Sequence, residues 1–199
     1  MAHYRQRFGK ESPIRESKEE IDLEADLRHW TRTMLAKPYN SLNGHALCPF
    51  AAEAWAKEKV LVLDVSGDMQ GAMFMAKNGF WFIQQLMGKD LLILCDFESN
   101  EYTPDSMFSY ADQLLEENNN GVWLMPFHPD ADGLSPAPDY DVSEYEPLLE
   151  RDYAMCFVQA TSHLNKASRA LEARGYYENW DELDLDDLEH RRRYGIGDG

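Results

Sequence analysis

Residues 60–97 read VLVLDVSGDMQGAMFMAKNGFWFIQQLMGKDLLILCDF. Two compact apolar runs, Val60 to Val65 and Leu91 to Phe97, bracket a longer apolar segment. Their length and Val, Leu and Ile content predict buried strands, and the middle predicts a helix over 69–87. Asp68 stands where a helix needs a cap, and Gly88 where a helix stops. The helix carries Met69, Met73, Phe74, Phe80, Trp81, Ile83 and Met87 nearly all round. A helix apolar on every side is expected to be largely buried, with Gly71 and Gly79 allowing close packing. Strand, helix and strand in this order predict a right-handed crossover joining parallel strands.

The pattern continues toward the C-terminus. Thr103-Pro104-Asp105 opens a helix with a cap, a proline at its first position and an acid near the positive dipole end. Met107, Ala111, Leu114 and Leu115 form its inner face. Val122 to Phe127 is a third strand, after a turn over Asn118 to Gly121. Residues 128–147 form a Pro- and Asp-rich loop, longer than loops usually run without a function. Tyr153 to Gln159 is a fourth strand that could run either way. Thr161 or Ser162 caps a helix to Arg174. Toward the N-terminus, Cys48-Pro49 opens a short helix through Trp55. A capping box of Ser17 and Glu20 opens a helix to Ala36, with Leu23, Leu27, Trp30 and Met34 on one stripe. Residues 1–17 read as an extended arm. Residues 176–199 read as an acidic tail in which Trp180, Leu183 and Leu188 could dock on the body or on a partner. The expected fold is α/β: a single domain over 18–175, with a four-stranded, mostly parallel sheet covered by helices, an N-terminal helix and an acidic C-terminal tail.

The 199 residues carry a net charge of −17, from 36 acidic and 19 basic residues. Phosphate backbones and anionic membrane surfaces need clustered Lys and Arg, so nucleic acid and membrane are excluded as partners. A 44% hydrophobic and 12% aromatic composition supplies a core and excludes disorder. Residues 21–175 hold −13 of the charge, so the acidity belongs to the body rather than the tail. It serves as a solvated surface or as a field for a cationic ligand. Cys48, Cys95 and Cys156 are far apart and form no CxxC, which argues against a disulfide scaffold. With no apolar leader and no run near ~18 apolar residues, a cytoplasmic protein is expected.

In sheets of this kind, ligands gather beyond the carboxyl ends of the parallel strands. Those ends carry Asp64 and Ser66, then Cys95, Asp96 and Glu98, then His128 and Asp130. Each offers an acid/base or metal-competent group, although turns favour Asp, Ser and Pro anyway. A second candidate is Cys48 with His45. A cysteine just before a helix meets the positive dipole end, which favours thiolate; set against this, a lone Cys among Phe and Leu is commonly inert core. Cys95 and Cys156 read as core, and His3, His29, His163 and His190 carry no role.

Leu47-Cys48-Pro49-Phe50-Ala51 and Phe127-His128-Pro129-Asp130 resemble, in the same order, the L-C-P-F-A and F-H-P-D signatures of an uncharacterised bacterial family. Pro147 to Arg151 is similar to that family's following P-x-L-x-L-L-R-E stretch, and the resemblance spans about residues 42–175. The family places His-Pro at the end of its middle strand, where this chain has Cys95-Asp96. The resemblance implies a site at Cys48 and His128, without a reaction.

Two classes of function follow. One is an enzyme acting on a small neutral or cationic molecule. In its metal form His45, Cys48, Asp96, His128 and Asp130 supply mixed S, N and O ligands for zinc or iron. In its thiol form Cys48 is the nucleophile, His128 the base, and Asp130 or Asp96 orients the imidazole. The other class is an acidic, non-catalytic binding or regulatory protein that docks partners through its 128–147 loop and C-terminal tail.

Overall fold

A computed structural model describes residues 22–39, 44–46, 48, 50–65, 67–96, 102–130, 153–178, 180 and 182–194. The chain forms α1 (Leu23–Trp30), a π-helical turn (Thr31–Leu35), β1 (Pro38–Tyr39), β2 (His45–Ala46), α2 (Ala51–Ala56), β3 (Val60–Asp64) and α3 (Met69–Met87). It continues as β4 (Leu91–Asp96), α4 (Pro104–Glu117), β5 (Val122–Phe127), β6 (Ala154–Ala160), α5 (Thr161–Glu172) and α6 (Glu182–Arg193).

The architecture is mixed α/β around a four-stranded sheet of order β3-β4-β6-β5. β3 and β4 pair in parallel, with Val60 opposite Leu91. The sheet is otherwise antiparallel, which corrects the expected mostly parallel arrangement. β6 inserts between β4 and β5 and runs against both, pairing Leu94 with Cys156 on one side and Pro126 with Cys156 on the other. β3, β4 and β5 still point the same way, so their carboxyl ends share one edge. The centre of the sheet belongs to the last strand in sequence, whose side chains are nearly all buried. Pro126 lies on the edge strand β5, where its missing N–H is tolerated.

Alternation sends the strands' side chains to two separate cores. On one face Leu92, Leu94, Val122, Leu124, Cys156 and Val158 meet Met69, Met73, Ala76 and Phe80 of α3 and Met107, Ala111 and Leu114 of α4. On the other, Ile93, Cys95, Met155 and Phe157 meet Leu27, Trp30, Met34 and Trp55. Each fully buried apolar side chain contributes roughly 1.5–3 kcal/mol. The expected stripe on the first helix therefore faces the core, but its start differs. Asp22 caps α1 by accepting from the Ala25 N–H at 3.0 Å, and the helix relaxes into a π-helical turn after Trp30. Ser17 and the 1–17 arm lie outside the described residues, as do 131–147 of the long loop.

The C-terminal segment is no free tail among the described residues. Leu188 is buried, and Arg192 donates to Ser168 and to Glu172 of α5. Tyr194 donates to the Asn118 carbonyl at 2.9 Å and stacks edge-on against Trp123. No helix among the described residues is long and apolar enough to cross a membrane.

α3 departs most from expectation. Asp68 accepts from the Gly71 N–H at 3.0 Å and Gly88 closes the helix at φ 64°, as its ends predict. Yet only one side of it is buried. Phe74, Met75, Trp81, Phe82, Leu86 and Met87 are all exposed. The physical reason is geometric: a helix lying on one face of a sheet buries only the arc turned toward that face and its neighbours. The opposite arc of α3 carries these large apolar side chains, together with exposed Gln70, Asn78 and Gln85, without being core.

Candidate functional site

The carboxyl edge of the sheet gathers buried polar groups. Asp96 ends β4 on the α3 side, and His128 follows β5 on the same side; both are buried. Strand register places them on either flank of the start of β6, since Asp96 pairs with Ala154 and Phe127 with Met155.

Tyr102 joins the two. Its hydroxyl donates to Asp96 Oδ2 at 3.0 Å. Its carbonyl lies 3.2 Å from His128 Nε2, and its ring meets the imidazole edge-on with centroids 5.6 Å apart. The Asp96 carboxylate also faces the Gly67 N–H, 3.3 Å from each oxygen. One carboxylate thus ties the loop after β3 to the loop after β4. The Asp130 backbone N–H donates to His128 Nδ1 at 3.1 Å. A carbonyl can only accept, so Nε2 carries the proton and donates to Tyr102, while Nδ1 accepts. Both ring nitrogens are engaged, and using either as a base or a metal ligand requires one of these bonds to break. Asp130 meets His128 through its backbone; its side chain is exposed. Tyr102 escaped the sequence reading. Its only signal was its place one residue before Thr103, the cap of α4.

Cys48 sits elsewhere in the bonding network. Its N–H donates to the Leu35 carbonyl at 2.8 Å, and its carbonyl accepts from Ala51. The half-buried residue has its thiol beside the Phe50 and Ala51 N–H groups. Burial pushes that thiol up, and the two N–H groups pull it down less strongly. This reverses the expected thiolate-favouring effect. α2 is only six residues long, and desolvation of the charged form outweighs its dipole. Cys95 and Cys156 are buried and pushed up to about 12, as core thiols should be. His45 meets the Tyr176 ring edge-on at 5.6 Å, and Asp64 is exposed. Ser66 and Glu98 lie outside the described residues.

Of the expected ligands, the structure joins Asp96, His128 and the Asp130 backbone through Tyr102. No hydrogen bond among the described residues links Cys48 or His45 to that cluster. Among the described residues no group of three His, Cys, Asp or Glu could hold a metal ion. Compared with known proteins, the chain matches no family model, no curated protein and no solved structure.

Proposed function

We propose that this chain is an acidic, non-catalytic protein-interaction module whose docking surface is the outer flank of α3. One observation carries the reading: six large apolar side chains of a single helix are 42–69% exposed. Met75, Phe82 and Leu86 fall on one side of the exposed arc and Phe74 and Trp81 on the other, with Asn78 and Gln85 between them, and large exposed apolar residues gathered on one element mark interaction sites. The carboxyl-edge groups support it from the other direction, because Asp96 and His128 are both bonded to Tyr102 and held by neighbouring backbone N–H groups. This moves the docking surface away from the 128–147 loop and the C-terminal segment, whose α6 is occupied by its own domain.

A second reading keeps the chain as a small-molecule enzyme, metal-dependent through zinc or iron or thiol-dependent through Cys48. It is favoured by the convergence of a buried carboxylate, a phenol and an imidazole on Tyr102, and by the resemblance of the Cys48 and His128 segments to the bacterial family. One two-armed experiment separates the readings. A photo-crosslinking amino acid is placed at Phe82, and at Asp112 as an exposed control, in cells producing the full chain. The module reading expects a discrete adduct from position 82 alone. Equal labelling from both positions would remove it. In the second arm the purified chain meets iodoacetamide, and the module reading expects Cys48 to react no faster than an ordinary thiol. Fast alkylation would favour the enzyme instead.

A further inference from the structure

The two outermost strands of the sheet differ in what they offer a further strand. β3 and β5 stand at the ends of the order β3-β4-β6-β5. β5 carries Pro126, which has no N–H to give. β3 reads Val60-Leu61-Val62-Leu63-Asp64, with no proline, glycine or lysine to discourage pairing.

Backbone bonds show which groups of β3 are on offer. The Lys59 carbonyl accepts from Leu91, and the Val65 N–H donates to the Cys95 carbonyl. In a parallel pair, alternate residues turn their backbone groups toward the same neighbour. Lys59, Leu61, Leu63 and Val65 therefore face β4. Val60 and Val62 turn their N–H and C=O groups outward, where no hydrogen bond meets them among the described residues. Beside this margin lies a cleft of about 190 Å3. It touches consecutive Val60, Leu61 and Val62, whose side chains alternate between the two cores, so it follows the margin of the strand rather than one face. Arg28, Trp55 and Glu58 wall it.

Charge selects the occupant. Arg28 lies over the Trp55 ring at 4.6 Å and is already paired with Glu24 at 2.8 Å. Lys89 donates to the Glu58 carbonyl at 2.7 Å. The Glu58 carboxylate is exposed and has no ion pair among the described residues. Glu58 also holds φ 55° just after α2, where a glycine would be relaxed. At the other end of the strand Asp64 is a second exposed carboxylate. Around both, residues 21–175 hold −13 of the charge.

We infer a second docking site, separate from the flank of α3: the outer margin of β3 takes up an extended, basic segment of another protein as a fifth strand. The segment's backbone bonds Val60 and Val62. Every second side chain, Lys or Arg, lies toward the cleft and meets Glu58. In strand addition of this kind main-chain bonds supply affinity and the alternate side chains supply selectivity. A second copy of this chain would offer the same backbone, but it would bring a further charge of −17 to an already acidic body.

The test uses the full chain and a fluorescent probe, the blocked hexapeptide Lys-Val-Lys-Val-Lys-Val. Anisotropy should show saturable binding below about 0.1 mM, and the counterpart with Glu for Lys should show none. N-methylation of the lysine amides alone, or of the valine amides alone, preserves the charge. One of these two peptides should lose at least about tenfold in affinity, and the other should stay within about threefold. Val62→Pro removes an outward N–H and no bond to β4, so it should weaken binding about tenfold with an unchanged circular dichroism spectrum. Glu58→Gln, which leaves the backbone alone, should weaken it about threefold. Phe82→Ala should bind as the unaltered chain does. Absence of binding at about 1 mM, equal affinity of the two methylated peptides, or full affinity in either folded variant overturns the inference. Loss of binding in Phe82→Ala overturns it by moving the peptide to the α3 flank. Self-association in sedimentation that Val62→Pro abolishes overturns it in favour of a second copy.

Discussion

The carboxyl edge of the sheet and the outer flank of α3 handle their unusual residues in opposite ways. At the edge, polar groups are buried, and Asp96, Tyr102 and His128 satisfy one another. On the flank, large apolar side chains are exposed. The first arrangement is internally bonded, and buried polar atoms with partners stabilise a fold. The second is open, since exposed apolar area still has free energy to release on contact. Residue type alone would have pointed to the edge; satisfaction points to the flank.

Replacing Phe80 tests the inner side of α3. Phe80→Ala should lower unfolding stability by about 3–5 kcal/mol, whereas Phe82→Ala, two residues on, should stay within about 0.5 kcal/mol. Denaturant titration of both variants checks this, and equal losses would erase the distinction between the two arcs. Next in size is the edge. Asp96→Ala leaves the Tyr102 hydroxyl and the Gly67 N–H without their acceptor and should cost about 2–3 kcal/mol. A change within about 0.5 kcal/mol would mean that the edge is not a closed structural network.

The smallest effect is a pH dependence from Lys77. Burial lowers it to about 8, while Asn120, the Val122 carbonyl and the Tyr194 hydroxyl still solvate its ammonium. Its folded value lies below its unfolded one, so the unfolded chain holds more protons between them and stability rises with pH. Tyr194 is itself pushed up to about 12 and does not titrate in this window. Relative to Lys77→Met, the wild-type chain should gain about 2 kcal/mol from about pH 7.5 to about pH 9.5. Paired denaturant curves at the two pH values measure it, and parallel behaviour of the two proteins would contradict the charge cost assigned to Lys77.

Local signals carried far along this chain. Asp68 and Gly88 mark the ends of α3, and Thr103 with Pro104 marks the start of α4, because a cap acts within one helical turn. The strands β3, β4 and β5 are legible as short apolar runs. The order β3-β4-β6-β5 is not, since the insertion of β6 depends on pairing residues 28 to 68 positions apart. The thiol of Cys48 misled for a similar reason: a nearby helix end shows in the sequence, and desolvation does not. His128 stands out by type and by its place after a strand, but its bonds come from Tyr102, whose loop must first fold back.

The sequence by itself determined the mixed α/β class, the ends of α3, the start of α4 and the excess negative charge on the body, all of which follow from local pattern and composition. Only the tertiary structure decided which apolar residues are core. A helix with apolar residues all round has one periodicity whether both arcs are covered or only one. The sheet covers the arc holding Phe80 and leaves the arc holding Phe82 in water.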